Sequence, residues 1–401
     1  FLGDALNKSV ESVTWLGNDD SLQPRSRESL DIQTKATLER NAGNINDFAN
    51  SIRAMRRHEI ERIGLAWMSG VIDDEASLAG MTDVYDAAIE ASLQWAIQHR
   101  INDIQIDEAP AAIAIIGMGR YGGREVNFSS DADVIIIYRP AEGADDDQAN
   151  LFARKVQEDL RAILQGPTTF EPKIELDMDL RPEGKNGPLV RSYASCEEYY
   201  RSWASTWEHQ ALLRARYAAG DASLAEDFLM NIADPLRYPK IDLTETQIAE
   251  IRKLKARMEA ERLPRGVRRD RHLKLGKGGL SDVEWTIQLL QLQHAGDNAN
   301  LRVNGTLQAL NELEHRKLIS AGDAVVLRKA WRMCTAARNG SYLWSGRVNQ
   351  ADILPDDSYS LGGIAVYLGY DANRGQHFEN DLLAVIRKAR DVTERLFYGR
   401  S

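Results

Sequence analysis

Apolar residues follow a helical spacing in two long stretches of the chain, with a different pattern between them. From residue 44 to residue 99 they recur every three or four positions, as at Ile52, Met55 and Ile60, which predicts at least two amphipathic helices. From about residue 196 to the end the pattern is again almost entirely helical. The first 40 residues are polar and irregular, which indicates short helices joined by loops.

The middle of the chain carries the signals of β-strands. Residues 111–116 and 134–138 are compact apolar runs of the kind found in buried strands. A helix is expected at about residues 147–165. Residues 173–181 alternate strictly between apolar and polar side chains, so they predict a further strand whose polar face carries several acids and Arg181.

This order of elements predicts an α+β fold, because helices and strands are segregated along the chain rather than alternating. The expected architecture is a small sheet of four or five strands flanked by helices and followed by a long C-terminal helical bundle. We expect an N-terminal helical segment at 1–100, a sheet domain at 101–200 and a C-terminal helical domain at 201–401.

Composition places the chain among ordinary globular proteins. Its 50 Lys and Arg against 60 Asp and Glu give a formal charge of −10, and 43% of the residues are hydrophobic. Two cysteines, Cys196 and Cys334, exclude a disulfide framework and a multi-cysteine zinc site. The apolar runs are far shorter than the roughly 20 residues that span a bilayer, so we expect a cytoplasmic protein without membrane segments. Because the chain begins with Phe1 rather than Met, we expect a fragment or a processed product.

A glycine-rich turn follows the first predicted strand. Gly117, Gly119 and Gly122 satisfy the pattern G-x-G-x-x-G, and Gly123 extends it. A dinucleotide-binding fold needs a helix of about ten residues after such glycines and an acid at the end of the next strand. Only residues 124–130 separate the glycines from the next acid, so the dinucleotide-binding interpretation fails on spacing.

Two aspartates, Asp131 and Asp133, open the following strand. Side chains two positions apart on a strand point to the same side, so the two carboxylates leave one face of the sheet near the glycines. Taken alone, such a pair is more often a polar turn at a strand entry than a catalytic group. A third acid, Asp177 or Asp179, lies on the polar face of a later strand.

Three carboxylates would suit two Mg²⁺ ions about 4 Å apart, one at a triphosphate and one at an attacking hydroxyl. Glycines let backbone N–H groups approach phosphates, and Ser129 or Ser130 can hydrogen-bond a phosphate oxygen. The combination indicates nucleotidyl transfer.

The turn and the aspartate pair resemble those of the DNA polymerase beta superfamily of nucleotidyltransferases, although Met118 stands where that superfamily usually has Gly or Ser. They resemble the glutamine synthetase adenylyltransferase family more closely, and the similarity extends from about residue 111 to residue 293. The blocks that carry it are GMGRYGGRE at 117–125, SDAD at 130–133, LDMDLRPEG at 176–184, WEHQALLRAR at 207–216 and KLGKGGLSDVEW at 274–285.

This resemblance implies that residues 101–200 are a nucleotidyltransferase domain built on a small mixed sheet. It makes Asp131 and Asp133 the metal-binding pair and Asp177 the third carboxylate, while Asp179 stands where the family commonly has a basic residue. Arg181 is a candidate for a triphosphate contact, with an ion pair to a neighbouring acid as an equal alternative. The residues expected to bind the nucleotide are Gly117, Gly119, Gly122, Gly123, Ser129, Ser130 and Arg181.

The implied activity is transfer of AMP from ATP to a tyrosine hydroxyl of glutamine synthetase, with two Mg²⁺ ions. The family has an attaching and a removing unit, and the block at 207–216 resembles the attaching one more. Alternatives are phosphorolytic removal of AMP, nucleotide addition to RNA, and a catalytically silent module that binds glutamine synthetase or a nitrogen-regulatory signalling protein.

Three further sequence features have structural interpretations that need no catalytic role. Ser281 and Glu284 predict a capping box, and Trp203 and Trp207 are expected to fill the core. Eleven basic residues cluster at 252–277, but exposed aromatic residues are absent among them, which favours a solvated helix face or a protein-docking patch over nucleic acid. They are Arg252, Lys253, Lys255, Arg257, Arg262, Arg265, Arg268, Arg269, Arg271, Lys274 and Lys277.

Overall fold

The computed structural model describes residues 10–167, 173–261, 263 and 266–400. These residues form two compact units. The sheet unit comprises residues 11–126 and 130–236, and the helical unit comprises residues 127–129 and 237–400. The predicted division into three domains stays a prediction.

The N-terminal part of the sheet unit is helical, as predicted. After a 3₁₀-helix at Val10–Gly17 come α1 (Asp19–Leu22), α2 (Arg27–Arg40), α3 (Ile45–Met68) and α4 (Asp74–Asp103). Asn44 and Asp73 cap α3 and α4 by accepting hydrogen bonds from N–H groups of the first turn. The two amphipathic helices predicted between residues 44 and 99 are thereby confirmed.

Five strands form one mixed sheet, which confirms the α+β prediction. They are β1 (Ala111–Gly117), β2 (Ala132–Pro140), β3 (Leu176–Asp177), β4 (Val190–Ser192) and β5 (Arg216–Gly220). β1 pairs antiparallel with β2 and β5, and β2 pairs in parallel with both β3 and β4. The strand order is β3-β2-β1-β5, with β4 also beside β2.

The helices that follow β1 complete the sheet unit. They are α5 (Gly119–Gly122), α6 (Asp146–Gln165), α7 (Tyr193–Ser202), α8 (Thr206–Leu212), α9 (Ala222–Asp227), a π-helix (Phe228–Ala233) and α10 (Asp234–Arg237), with a 3₁₀-turn at Gly184–Asn186. Apolar residues of the central strands, such as Ile116 and Ile135, share one core with Tyr200, Leu212 and Phe228 from these helices. The sheet is therefore held by burial against α7, α8 and the π-helix.

Two details of the sheet unit correct the sequence interpretation. The predicted strand at 173–181 is paired only at Leu176–Asp177, after which the chain turns. Trp203 is 75% exposed rather than buried, and Trp207 is half-buried. Because α7 ends at Ser202 and α8 begins at Thr206, the two tryptophans are not on one continuous helix and the helical spacing does not apply.

Residues 237–400 of the helical unit are helical, as predicted, but β5 (Arg216–Gly220) is a strand within the stretch predicted to be helical from about residue 196. The helices of this unit are α11 (Glu245–Glu261), α12 (Leu280–His294), α13 (Thr306–His315), α14 (Ala321–Ser345), α15 (Ser358–Tyr367) and α16 (Gly375–Leu396), with 3₁₀-turns at Arg269–Arg271, Ala299–Leu301 and Val348–Gln350. Within the ranges that the structure describes, no helix is both long enough and apolar enough to cross a membrane.

The predicted capping box is wrong, because α12 begins two residues earlier than predicted. Its N-cap is Gly279, so Ser281 lies inside the first turn. Asp282 has the structural role instead: fully buried, it accepts a hydrogen bond from the Gly278 N–H (2.6 Å) and pairs with Lys255 and Arg390.

Some residues of the basic cluster are buried in ion pairs of the helical unit. Lys255 is buried against Asp282, and Arg271 is buried and paired with Glu379. Arg262 and Arg265 lie outside the described residues. At least two of the eleven cations therefore hold the helical unit together rather than face solvent.

Candidate active site

The glycine turn packs directly against the aspartate pair. Gly119 has φ +52°, a left-handed conformation that favours glycine, and a Cβ atom there would lie 2.1 Å from Oδ2 of Asp133. A Cβ on Gly122 would lie 2.0 Å from the carbonyl oxygen of Arg214. These two glycines are thus required by close approach, one to the candidate site and one to the start of β5.

Hydrogen bonds inside the turn already engage several N–H groups. Met118 donates to the Asp133 carbonyl at 2.8 Å, which ties the turn to β2. Gly122 donates to the Met118 carbonyl at 2.6 Å, and Gly123 donates to the Gly119 carbonyl at 3.0 Å. The N–H groups of Gly122 and Gly123 therefore hold the turn closed, and a phosphate contact from them stays a prediction.

Strand pairing places Asp133 and Asp177 side by side on neighbouring strands. Asp133 on β2 and Asp177 on β3 are partners in a parallel register, on strands that lie about 4.8 Å apart. One hydrogen bond of this pairing runs from the Ala132 N–H to the Glu175 carbonyl at 2.8 Å. Asp131 immediately precedes this pairing and is exposed, whereas the other two aspartates are half-buried.

The charges around Asp177 act on its proton equilibrium. Burial raises the pKa of Asp177 above its usual value. The carboxylates of Asp179 and Asp131 raise it further, against the opposing effects of the Asp179 N–H, which donates to Oδ1 of Asp177 at 2.7 Å, and of Lys185. The carboxylates of Asp131 and Asp179 are therefore close enough to Asp177 to act on its charge.

The donor chemistry of this edge fits a divalent cation. Carboxylate oxygens are the ligands that Mg²⁺ prefers, and a bound cation would oppose both the burial and the neighbouring carboxylates that raise the pKa of Asp177. As the side chains are placed in the described part of the chain, no three acidic, histidine or cysteine groups converge on one metal position. The assignment of Asp131, Asp133 and Asp177 as metal ligands stays a prediction.

Arg181 braces the loop that follows β3. Its buried guanidinium donates to the carbonyls of Met178 (2.7 Å), Gly187 (2.9 Å) and Lys185 (3.1 Å). The nearest oxygen of Asp179 is 3.9 Å away, and that carboxylate pairs with Lys185 at 3.2 Å. These contacts account for Arg181 as a structural residue, so a triphosphate contact is not needed to explain it.

The two serines before the aspartate pair differ in their contacts. The Ser129 hydroxyl and N–H both donate to Oδ1 of Asn127 at 3.1 Å. The carbonyl of Ser130 accepts a hydrogen bond from the hydroxyl of Tyr85 on α4 at 2.9 Å. Their predicted role at phosphate stays a prediction.

A cleft of about 560 Å³ opens beside β3. Its lining comprises Asp131, Arg161, Glu175, Leu176, Asp177, Met178, Asp179, Arg181, Lys185 and Leu189. Three of these, Arg161, Lys185 and Leu189, were missed by sequence reasoning because α6 and the loop after β3 bring them here only in the folded chain. The glycine turn lies outside this lining, on the side of Asp133.

Two family models match this chain. The family model described as Glutamate-ammonia ligase adenylyltransferase matches residues 1–231. The chain belongs to the glutamate-ammonia ligase adenylyltransferase family. A second family model, described as GlnD PII-uridylyltransferase, matches residues 251–397, most of the helical unit.

Similar curated proteins carry one name, bifunctional glutamine synthetase adenylyltransferase/adenylyl-removing enzyme. The protein of Bifidobacterium longum (strain DJO10A) is 78% identical over 401 residues, which are 100% of this chain and 37% of that protein. Those of Leifsonia xyli and Streptomyces avermitilis are 41% and 39% identical, over 100% and 99% of this chain and 38% and 40% of theirs. The chain thus spans about two fifths of the length of these relatives.

Proposed function

We propose that this chain transfers AMP from ATP to a tyrosine hydroxyl of glutamine synthetase, with release of pyrophosphate. The observation that carries the proposal is the parallel register of Asp133 with Asp177, beside a glycine turn that touches the Asp133 carboxylate. Membership of the glutamate-ammonia ligase adenylyltransferase family supports the same chemistry. The proposed setting is the cytoplasm, with no nucleic acid partner.

Each part of the site then has a role in this reaction. Asp131, Asp133 and Asp177 would hold Mg²⁺ through their carboxylate oxygens. Bound Mg²⁺ supplies charge neutralisation at the triphosphate and a lower pKa for that hydroxyl. The glycine turn places the nucleotide beside Asp133, and the cleft beside β3 admits the segment of glutamine synthetase that carries the tyrosine.

A second candidate function is the phosphorolytic removal of AMP from adenylylated glutamine synthetase. It is favoured by the name of the relatives, which joins an adenylyltransferase with an adenylyl-removing enzyme. The same carboxylates would serve both directions, because a two-metal site stabilises attacking and leaving oxygens alike. We rank attachment first because the sequence at 207–216 resembles the attaching unit.

We assign contact with a nitrogen-regulatory signalling protein to the helical unit. The support is the match of residues 251–397 to a family whose description names PII. Purified PII added to the chain should co-elute with it or change its rate of AMP transfer. If PII does neither, this part of the proposal is wrong.

The direction of catalysis is tested by two parallel reactions. The chain with Mg-ATP and unmodified glutamine synthetase should produce pyrophosphate and AMP-tyrosine. The chain with adenylylated glutamine synthetase and phosphate should release little ADP. Faster ADP release than AMP transfer would assign the chain to the removing direction, and no turnover in either reaction would contradict both functions.

A further inference from the structure

Two adjacent residues of α4, Tyr85 and Asp86, reach the two arms of the candidate site. One arm is the glycine turn at 117–123, and the other is the strand entry at 130–133. Both side chains are buried, with exposed fractions of 0% and 2%. Neither belongs to any motif of the sequence, and neither is a predicted ligand of nucleotide or metal.

Tyr85 holds the strand entry. Its hydroxyl donates to the carbonyl of Ser130 at 2.9 Å, one residue before Asp131. The same hydroxyl accepts a hydrogen bond from the guanidinium of Arg56 on α3 at 2.7 Å, which also lies over the ring. Because the donor to Tyr85 is charged and the group is buried, the hydroxyl proton is directed at the Ser130 carbonyl.

Asp86 holds the glycine turn through Arg216 of β5. Its Oδ1 pairs with Arg216 at 2.8 Å, and Arg216 donates to the carbonyl of Tyr121 within the turn at 3.1 and 3.3 Å. The guanidinium also lies 4.8 Å from the centre of the Tyr121 ring. Arg216 is therefore fixed between a buried carboxylate and the backbone of the turn.

Two further arginines meet the same carboxylate. Oδ2 of Asp86 is 3.5 Å from Arg27 on α2 and 3.8 Å from Arg124, which follows the glycine turn. Arg124 also pairs with Asp83 at 2.7 Å. Asp86 is thus the shared counter-ion of three cations, which lie on α2, directly after the turn and on β5, and its loss would leave them without that charge.

We propose that Tyr85 and Asp86 are positioning residues that fix the separation of the glycine turn and Asp131, so that one rigid helix sets the geometry of both arms. The inference rests on the proposed function, because the arms are those assigned to nucleotide and metal. A supporting helix of this kind matters because displacements of about 1 Å in a reacting geometry cost large factors in rate.

The two residues have separable effects. Tyr85→Phe removes only the hydroxyl, frees the strand entry, and should lower kcat about tenfold with little change in KM for ATP. Asp86→Asn removes the charge that holds Arg216, loosens the turn, and should raise KM for ATP about tenfold. Asp159→Asn is the matched control, because Asp159 is a buried acid of the same unit that pairs with Arg100 of α4.

Kinetics and thermal unfolding are measured on all three variants at a temperature where each is folded. Kinetic losses confined to Tyr85→Phe and Asp86→Asn, at stabilities no lower than that of Asp159→Asn, would support the inference. Unchanged kcat and KM in both, or losses that follow stability in all three, would overturn it.

Hydrogen exchange gives a readout that does not depend on activity. Asp86→Asn should raise amide exchange at residues 117–123, and Tyr85→Phe should raise it at 130–133, whereas Asp159→Asn should change neither. If the wild-type chain transferred no AMP, the proposed function would fail, and this exchange pattern would still decide whether α4 holds the two arms. Unchanged exchange at both segments would refute the inference.

Discussion

Gly119 lies against the carboxylate of Asp133 so closely that a Cβ atom on the glycine would stand 2.1 Å from Oδ2. The same glycine has φ +52°, which an alanine adopts only with strain. A single methyl group at this position therefore has to displace either the turn or the aspartate.

Gly119→Ala should abolish most AMP transfer, by about 100-fold or more, because the side chain of Asp133 loses its place. The matched control is Gly43→Ala, where a Cβ has nothing within 4 Å and φ is ordinary. Rates of AMP transfer and circular dichroism check the pair. Full activity in Gly119→Ala would show that the contact with Asp133 does not contribute to the rate of AMP transfer.

Asp177 and Asp179 are distinguished by substituting each with asparagine. Asp177 is the register partner of Asp133, whereas Asp179 lies beyond β3 and pairs with Lys185. Asp177→Asn should lower kcat by about 100-fold or more, or about 3 kcal/mol of transition-state stabilisation, and Asp179→Asn should retain most activity. The reverse ranking would move the third carboxylate to Asp179.

Arg181→Met tests whether this arginine is structural. Three backbone carbonyls lose a charged donor, so the free energy of unfolding should fall by about 3 kcal/mol. Chemical denaturation checks the stability, and titration with ATP checks binding. A variant of wild-type stability with a strongly raised KM for ATP would instead assign Arg181 to the triphosphate.

Asp282 gives the helical unit a defined response to acid. Burial alone would raise its pKa, but Lys255 and Arg390 outweigh burial and hold the pKa below its usual value. A lowered pKa in the folded state stabilises the fold at pH values above the unfolded-state pKa of about 3.9. That stability is lost as the pH falls through the folded-state pKa.

The thermal stability of the wild type should therefore fall steeply below about pH 4. Asp282→Asn should be less stable than the wild type at neutral pH, and its stability should fall less as the pH is lowered. Asp270→Asn is the control, because its pair with Arg268 is exposed and contributes little. Equal acid sensitivity of the wild type and Asp282→Asn would remove the role given to Asp282.

The sequence was most informative where the local pattern and the tertiary structure agree. β1 and β2 are buried apolar strands, and α3, α4 and α6 are capped helices with regular apolar spacing, so their positions follow from periodicity. The prediction that Asp131 and Asp133 share a side also rested on local pattern, and it stays a prediction because Asp131 precedes β2. The choice of Asp177 as the third carboxylate came from the resemblance to a family.

Tertiary contacts decided the features that the sequence missed. Residues 173–181 alternate like a strand, but Arg181 turns the chain after Asp177 by binding three carbonyls. β5 has the sequence RYAAG, which carries little strand propensity and pairs because β1 offers an open edge. The contacts of Asp86 join residues up to 130 positions apart, and no periodicity reports them.

The most direct measurement is the intact mass of purified glutamine synthetase after incubation with Mg-ATP and this chain, either wild type or with Asp131 and Asp133 both changed to asparagine. The wild type should add the mass of one AMP to each modified subunit, at a tyrosine, and the double variant should add none while remaining folded. Equal labelling by the two proteins would contradict the assignment of these carboxylates, and no labelling by the wild type would contradict AMP transfer by this chain.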